Sequence, residues 1–236
     1  MRKWSEEELE LVPCDYCSKQ NVSPTYKRRD GMAVVECRLC GLAYLNPRPK
    51  AELIKYFYEK EYFDGSALNH GDGGLNVKKD NTVDQTGKGK IINRRISLIN
   101  EQIGDIRGKK VLEVGCATGD MLYALRCQGA HVHGVEISKH AATIARGRGL
   151  NVTDGEVEDY ASGTDETFDL IVAYEVIEHV TSPGRFLMTL VRLVKPKGWI
   201  ILDTPNLRCA HRFGNDWYGF QTSFEHLYFF SLDTIN

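Results

Sequence analysis

Between Lys110 and Asp203, short apolar runs alternate with stretches of helical periodicity, and this alternation constrains the fold more than any other feature. Residues 111–114, His131–Glu136, the stretch around Val152, Phe168–Tyr174 and 199–203 read as strands. Between them, residues 120–128, 138–148 and 183–194 read as helices, with Ser138 as an N-cap and Pro183 near a helix start. Strands joined through helices form βαβ units and pair in parallel, so the expected core is α/β, a mostly parallel sheet flanked by helices. Ile92, Ile96, Ile99 and Ile103 make one continuous stripe, which adds a helix over residues 90–104.

Upstream the pattern changes. Residues 1–49 hold two cysteine pairs and a strand-like stretch at 32–36; residues 4–12 suggest a short acidic helix. Residues 50–89 combine a helix over 50–63, with Leu53, Ile54, Phe57 and Tyr58 at helical spacing, and a glycine-rich polar stretch, a candidate lid or linker. Residues 90–236 then form the α/β domain. At about 150 residues per domain, 236 residues accommodate one to two.

With 30 Lys+Arg against 32 Asp+Glu, the net charge is −2, which argues against a nucleic-acid partner contacted by the whole chain. No apolar run approaches the roughly 18–20 residues that span a bilayer, and no apolar stretch follows the charged N-terminus as in a signal peptide. The expectation is a cytoplasmic protein with no membrane partner.

Cys14-x-x-Cys17 and Cys37-x-x-Cys40 supply two knuckles of two thiolates each, a donor set suited to tetrahedral zinc. In a reducing compartment such an array reads as metal-binding rather than as disulfides. Gly41 suits a knuckle turn that needs positive φ. Four protein ligands leave no open position for a catalytic water, so the metal is expected to be structural.

The run Val111-Leu-Glu-Val-Gly115-Cys-Ala-Thr-Gly119-Asp120 ends a strand, turns on small residues and begins a helix. That is where a ligand reaches the backbone closely. It lacks the Lys-Ser/Thr of a phosphate loop. Read as a dinucleotide fingerprint it would place Ala117 and Asp120 at two glycine positions, and Asp120 at the helix start would repel a pyrophosphate. A phosphate-free cofactor with an amino-acid tail, a ribose and an adenine fits better. Glu136 ends the second strand, where a carboxylate grips ribose hydroxyls. Glu156, after the third strand, is placed to meet an adenine edge; the alternative is a surface acid.

Glu113-Val-Gly-Cys-Ala-Thr-Gly119, Glu136, and Phe168-Asp-Leu-Ile-Val-Ala-Tyr-Glu-Val-Ile-Glu-His179 together resemble class I S-adenosylmethionine-dependent methyltransferases, over roughly residues 90–236. The resemblance implies a Rossmann-like sheet, S-adenosylmethionine as cofactor, Glu113, Gly115 and Gly119 along the methionine part, and Glu136 on the ribose. Ala117 stands at the middle loop position, where the family more often has glycine. Cys37-Arg-Leu-Cys-Gly-Leu-Ala-Tyr-Leu-Asn-Pro-Arg-Pro49, Thr204-Pro-Asn206, Arg212-Phe-Gly214, Trp217 and Glu225-His226-Leu-Tyr-Phe-Phe-Ser231 are similar to bacterial methyltransferases with a zinc-binding head. Some of those act on nucleotide-linked deoxysugars and others serve polysaccharide or secondary-metabolite pathways, which implies a small-molecule acceptor.

Methyl transfer from a sulfonium needs alignment and, for a hydroxyl or carbon acid, a base. His226 and His179 compete for that role. Glu225 is placed to assist, and Tyr174 closes the fourth strand where cofactor or acceptor would lie. The aromatic residues between Phe213 and Phe230 wall an acceptor pocket or pack a core. Lys27-Arg28-Arg29 suits a phosphate-bearing substrate or a solvated loop. The terminal strand hairpin usual in this fold is expected to be absent, with the domain incomplete, which would leave an exposed edge and favour self-association. Two further functions stay open: a zinc-bearing binding or scaffold protein with a non-catalytic cofactor fold, and a nucleotide-dependent oxidoreductase.

Overall fold

The computed structural model describes residues 4–28, 30–60, 87–220 and 226–235. The sequence-derived helix over 4–12 is instead a single 3₁₀ turn at Glu6–Glu8, closed by a Ser5–Glu8 capping box, and a two-residue strand, β1 (Leu9–Glu10). Three glutamates in one turn bury nothing, so pairing takes over where the apolar residues begin. Then come β2 (Val22–Lys27), β3 (Ala33–Cys37), β4 (Ala43–Leu45), β5 (Arg48–Pro49) and α1 (Ala51–Lys60). The α/β part follows as α2 (Gly87–Ile103), β6 (Lys110–Val114), α3 (Asp120–Cys127), β7 (His131–Glu136), α4 (Lys139–Gly147), β8 (Val152–Asp154), α5 (Val157–Ser162), β9 (Phe168–Tyr174), α6 (Pro183–Leu193) and β10 (Val194–Asp203). Last come α7 (Ala210–Phe213), β11 (Tyr228–Phe229) and α8 (Leu232–Ile235).

The chain divides into two compact units. One comprises residues 57–173 and 188–201. Its five-stranded sheet has the order β10-β9-β6-β7-β8, with parallel pairing of β6 to β7, β6 to β9 and β7 to β8. The helical crossovers dictate that parallel pairing, and β6 and β9 are apolar almost throughout because both faces of the sheet are covered. On α2, Ile92, Ile96 and Ile99 are buried as their spacing predicts, and Ile103 is half-buried. Ser138 caps α4 by accepting from the Ala141 amide at 3.3 Å. The order changes direction at β6, so the turn after β6 lies at the switch point where open α/β sheets take their ligands.

The other unit comprises residues 1–56, 174–187 and 202–236, so division by contact runs differently from division along the chain. Its antiparallel sheet, β11-β4-β3-β2, adds β11 from the C-terminal segment to the N-terminal strands. β1 and β5 form a separate pair. Trp217, Phe220, Tyr228 and Phe229 are almost fully buried in it, with Phe220 5.1 Å from both the Phe229 and Tyr26 rings. These aromatics are core. Phe213 and Tyr218 are exposed, and Phe224 lies outside the described residues.

Candidate active site

The turn after β6 is built from three residues with positive φ: Gly115 (71°), Ala117 (47°) and Gly119 (85°). A Cβ on Gly119 would stand 2.4 Å from Leu150 Cδ1 and 3.1 Å from Ala145 Cβ, so only glycine fits there. Ala117 occupies a left-handed conformation that costs an L-residue about 1–2 kcal/mol. That is the physical basis of the glycine preference at this position.

The turn is laced to the end of β7. The Gly115 amide donates to Val135 O at 2.8 Å. The Ala117 and Ser138 amides donate to Glu136 Oε2 and Oε1, each at 2.8 Å. Glu136 O accepts from Gly155 N at 2.9 Å, which brings the residue before Glu156 to the same place. Glu156 is half-buried and stands at the N-cap of α5. Glu136 is buried; burial pushes its carboxyl up, and the Ser138, Ala117 and Ile137 amides oppose that. Three amides leave about one of the carboxylate's four acceptor positions unused.

Glu113 is also buried, and burial drives its carboxyl well above the usual range, with Arg95 opposing. Its Oε2 has no hydrogen-bond partner among the described residues. An orphaned carboxylate oxygen, a two-oxygen acceptor at Glu136 and a tight turn without a cation clamp fit a cofactor that offers an ammonium and hydroxyls. Asp120 does not play the expected part. It is buried against Arg148, 2.7 Å away, and Lys88; burial alone would raise its carboxyl, but hydrogen bonds from these two cations lower it. Its charge is compensated, so Asp120 does not supply the repulsion of a pyrophosphate expected of it.

In the other unit, His226 is buried and packs edge-on against His179, with ring centroids 4.7 Å apart at 82°. His226 Nδ1 lies 3.2 Å from Gly219 O. A carbonyl only accepts, so Nδ1 carries a proton and donates it. The pair is set by the backbone: Leu227 N and Tyr228 N both donate to Glu178 O, at 2.8 and 3.1 Å. Glu178 is buried, and burial, with Glu175 and Asp203 adding repulsion against the opposing Thr204 hydroxyl, pushes its carboxyl up to about 8. One ligand atom from each of Glu178, His179 and His226 lies within 4.8 Å of the others, so the three groups form one cluster. Glu225 lies outside the described residues. Tyr174 is the half-buried last residue of β9.

Sequence reasoning treated Arg28 as part of a basic loop. It is instead buried, paired with Asp30 at 2.8 Å and donating to His226 O at 3.1 Å. Asp30, two residues on, was the available signal.

The four cysteines gather in the same unit, with all Sγ atoms within 4.8 Å of one another. Cys14 and Cys40 sulfurs are 3.4 Å apart, and Cys17 and Cys37 sulfurs 3.5 Å. Tetrahedral zinc at about 2.3 Å from each sulfur places them roughly 3.8 Å apart, so the set fits. The two knuckles repeat one geometry. Ser18 N donates to Cys14 O and Gly41 N to Cys37 O, both at 2.8 Å; Cys14 N donates to Lys19 O and Cys37 N to Leu42 O, both at 2.9 Å. Ser18 (57°) and Gly41 (76°) take the matching positive φ. Burial pushes the Cys14 thiol up to about 12. Burial also acts on Cys37, but the Leu39 and Cys40 amides prevail and bring it down to about 7.

A family model described as a methyltransferase domain matches residues 90–236. The chain belongs to this family. Among curated methyltransferases, it is 36% identical over 107 residues to a ubiquinone biosynthesis O-methyltransferase of Thiobacillus denitrificans, covering 43% of this chain and 46% of that one. It is 31% identical over 150 residues to the protein of that name from Hydrogenovibrio crunogenus, covering 61% of each. The chain spans about half the length of most of these curated relatives. Magnesium protoporphyrin IX methyltransferase from Synechocystis PCC 6803, solved with S-adenosylmethionine bound, is similar in fold: TM-score 0.50, 18% identity, 70% of this chain and 84% of that one. No described helix of this methyltransferase-family chain is long and apolar enough to cross a membrane.

Proposed function

We propose that the chain is an S-adenosylmethionine-dependent methyltransferase acting on a small molecule. The observation that carries this is the hydrogen bond that closes the Gly115–Gly119 turn onto the Glu136 carboxylate. It places a buried carboxylate acceptor beside the turn, which suits ribose hydroxyls. In this proposal Glu113, Gly115, Ala117 and Gly119 hold the methionine part, Glu136 the ribose and Glu156 the adenine, with Tyr174 at the strand end. S-adenosylmethionine supplies an electrophilic methyl group that leaves a neutral thioether behind, so no acid is required. His226 takes the acceptor's proton at Nε2, with His179 against its ring and Glu225 on the preceding residue.

The four cysteines hold a structural zinc. The acceptor is a nucleotide-linked sugar or a polysaccharide or secondary-metabolite precursor, supported by the resemblance of residues 37–49 and 225–231 to methyltransferases with a zinc head. The O-methyltransferase names of the curated relatives support an oxygen nucleophile. We place the protein in the cytoplasm, where reduced thiols and the methyl donor coexist, and self-association at β10, an end strand of the described sheet that carries the exposed Trp199. The test is transfer of labelled methyl to a panel of nucleotide-linked sugars and phenols. His226→Ala is expected to abolish transfer with methyl-donor affinity unchanged. Full transfer by that variant would remove His226 from the role, and His179→Ala would then be the variant to lose it. Donor binding with no transfer to any acceptor would favour the binding-protein alternative.

A further inference from the structure

Asp15 sits inside the first cysteine knuckle, between Cys14 and Cys17, yet its side chain reaches away from the sulfurs. Oδ1 accepts from Ser182 Oγ at 2.7 Å, and Oδ2 accepts from Gly184 N at 2.6 Å. Ser182 Oγ in turn faces Arg185 N at 3.4 Å, and Ser182 O accepts from Phe186 N at 3.0 Å. The carboxylate therefore closes the first turn of α6, where a negative charge meets the positive end of the helix dipole. Gly184 allows the approach: a Cβ there would stand 3.0 Å from Asp15 Oδ2.

The segment so gripped begins three residues after His179. It is held at a third point by Arg48, whose Nη1 donates to Thr181 O at 2.8 Å, with the Tyr228 hydroxyl donating to the same oxygen at 3.3 Å. Glu178 O is fixed by Leu227 and Tyr228. His179 thus lies between anchors on both sides, and the one downstream belongs to the cysteine knuckle. The knuckle fixes Asp15 in turn, since Ser18 N closes it onto Cys14 O and the Tyr16 and Cys17 amides point at the Cys14 sulfur.

We infer that Asp15 is a positioning residue that couples the four-cysteine site to the His179–His226 pair, so that a filled metal site sets the geometry of that pair. Nothing in the family match extends to Asp15, since that match begins at residue 90. The inference rests on the proposed zinc site and gives it a second task beyond holding strands together: orienting a histidine that it does not touch.

The test uses the full zinc-loaded chain and three variants, Asp15→Ala, Asp15→Asn and Ser182→Ala. Readouts are zinc content, S-adenosylmethionine affinity, backbone hydrogen exchange at residues 182–186, and the titration midpoint of the His179 ring by NMR. Asp15→Ala should keep its zinc and its donor affinity, speed exchange at 182–186 by roughly tenfold, and move the His179 midpoint. Asp15→Asn retains an acceptor oxygen and should fall between Asp15→Ala and the parent. If Asp15→Ala loses zinc, Ser182→Ala decides, because it leaves the knuckle untouched. Parent-like exchange and an unmoved His179 midpoint in a zinc-loaded variant lacking the Asp15–Ser182 contact would overturn the inference. Zinc content and donor affinity report on the proposed function separately, so the two can fail independently.

Discussion

The amide of Ala117 donates to Glu136 Oε2 at 2.8 Å, and this one bond joins the turn after β6 to the end of β7. It makes Glu136 both a structural latch and the acceptor on which the cofactor reading depends. Glu136→Gln keeps the shape and one acceptor oxygen but removes the charge and presents an amide to the turn. Hydrogen bonds to a charged group are worth about 1.5–3 kcal/mol, so S-adenosylmethionine affinity should fall roughly 10–100-fold. Calorimetric titration measures this. Glu156→Gln, a smaller and more exposed change, should cost less than Glu136→Gln.

The turn itself separates two small residues. Ala117→Gly should relieve a left-handed alanine, less the extra freedom glycine gains in the unfolded chain, for a net gain of about 0.5 kcal/mol. Gly119→Ala, which drives a methyl group into Leu150 and Ala145, should lose about 1–3 kcal/mol. Urea melts of the two variants check both signs; equal effects would contradict the close approach at Gly119.

Glu178 predicts a pH dependence with a definite sign. Its folded carboxyl titrates at about 8 against an ordinary 4.5. Between those values the unfolded chain has released this proton and the folded chain retains it, so this group's contribution to stability falls as pH rises through the window and is lost above about 8. Glu178→Gln cannot ionise. Its stability advantage over the parent should be near zero at pH 4.5 and grow steadily to pH 8. Denaturant melts of both proteins across that range measure the difference, and a constant offset would show that Glu178 is ionised in the folded state.

Much of this was legible in advance, for identifiable reasons. The strand Phe168–Tyr174 falls on an apolar run because a parallel strand covered on both faces is mostly buried, whereas His131–Glu136, with two histidines and a terminal glutamate, was legible from its place between two helical stretches. The cysteine spacing needed no structure, since each knuckle is local. What escaped was non-local. Nothing between residues 204 and 231 says that Tyr228 will pair with Tyr44, or that Phe220 will meet Tyr26, because antiparallel partners so far apart leave no local trace. Asp120 misled for a related reason: the cations that neutralise it, Lys88 and Arg148, lie in other helices or helix ends. The Asp15–Gly184 contact was hidden in the same way.

The metal reading predicts one zinc per chain in protein purified without chelator. Cys37→Ser should reduce the zinc content to near zero and lower the unfolding temperature by at least several degrees, because metal binding at such knuckles is folding free energy. Full zinc content in Cys37→Ser would contradict four-sulfur ligation.

The most direct test of the central claim is calorimetric titration of the chain with S-adenosylmethionine and, separately, with NAD. The account predicts saturable binding of S-adenosylmethionine at one site per chain, weakened by Glu136→Gln, and no binding of NAD. Saturable binding of NAD with no response to S-adenosylmethionine would contradict it.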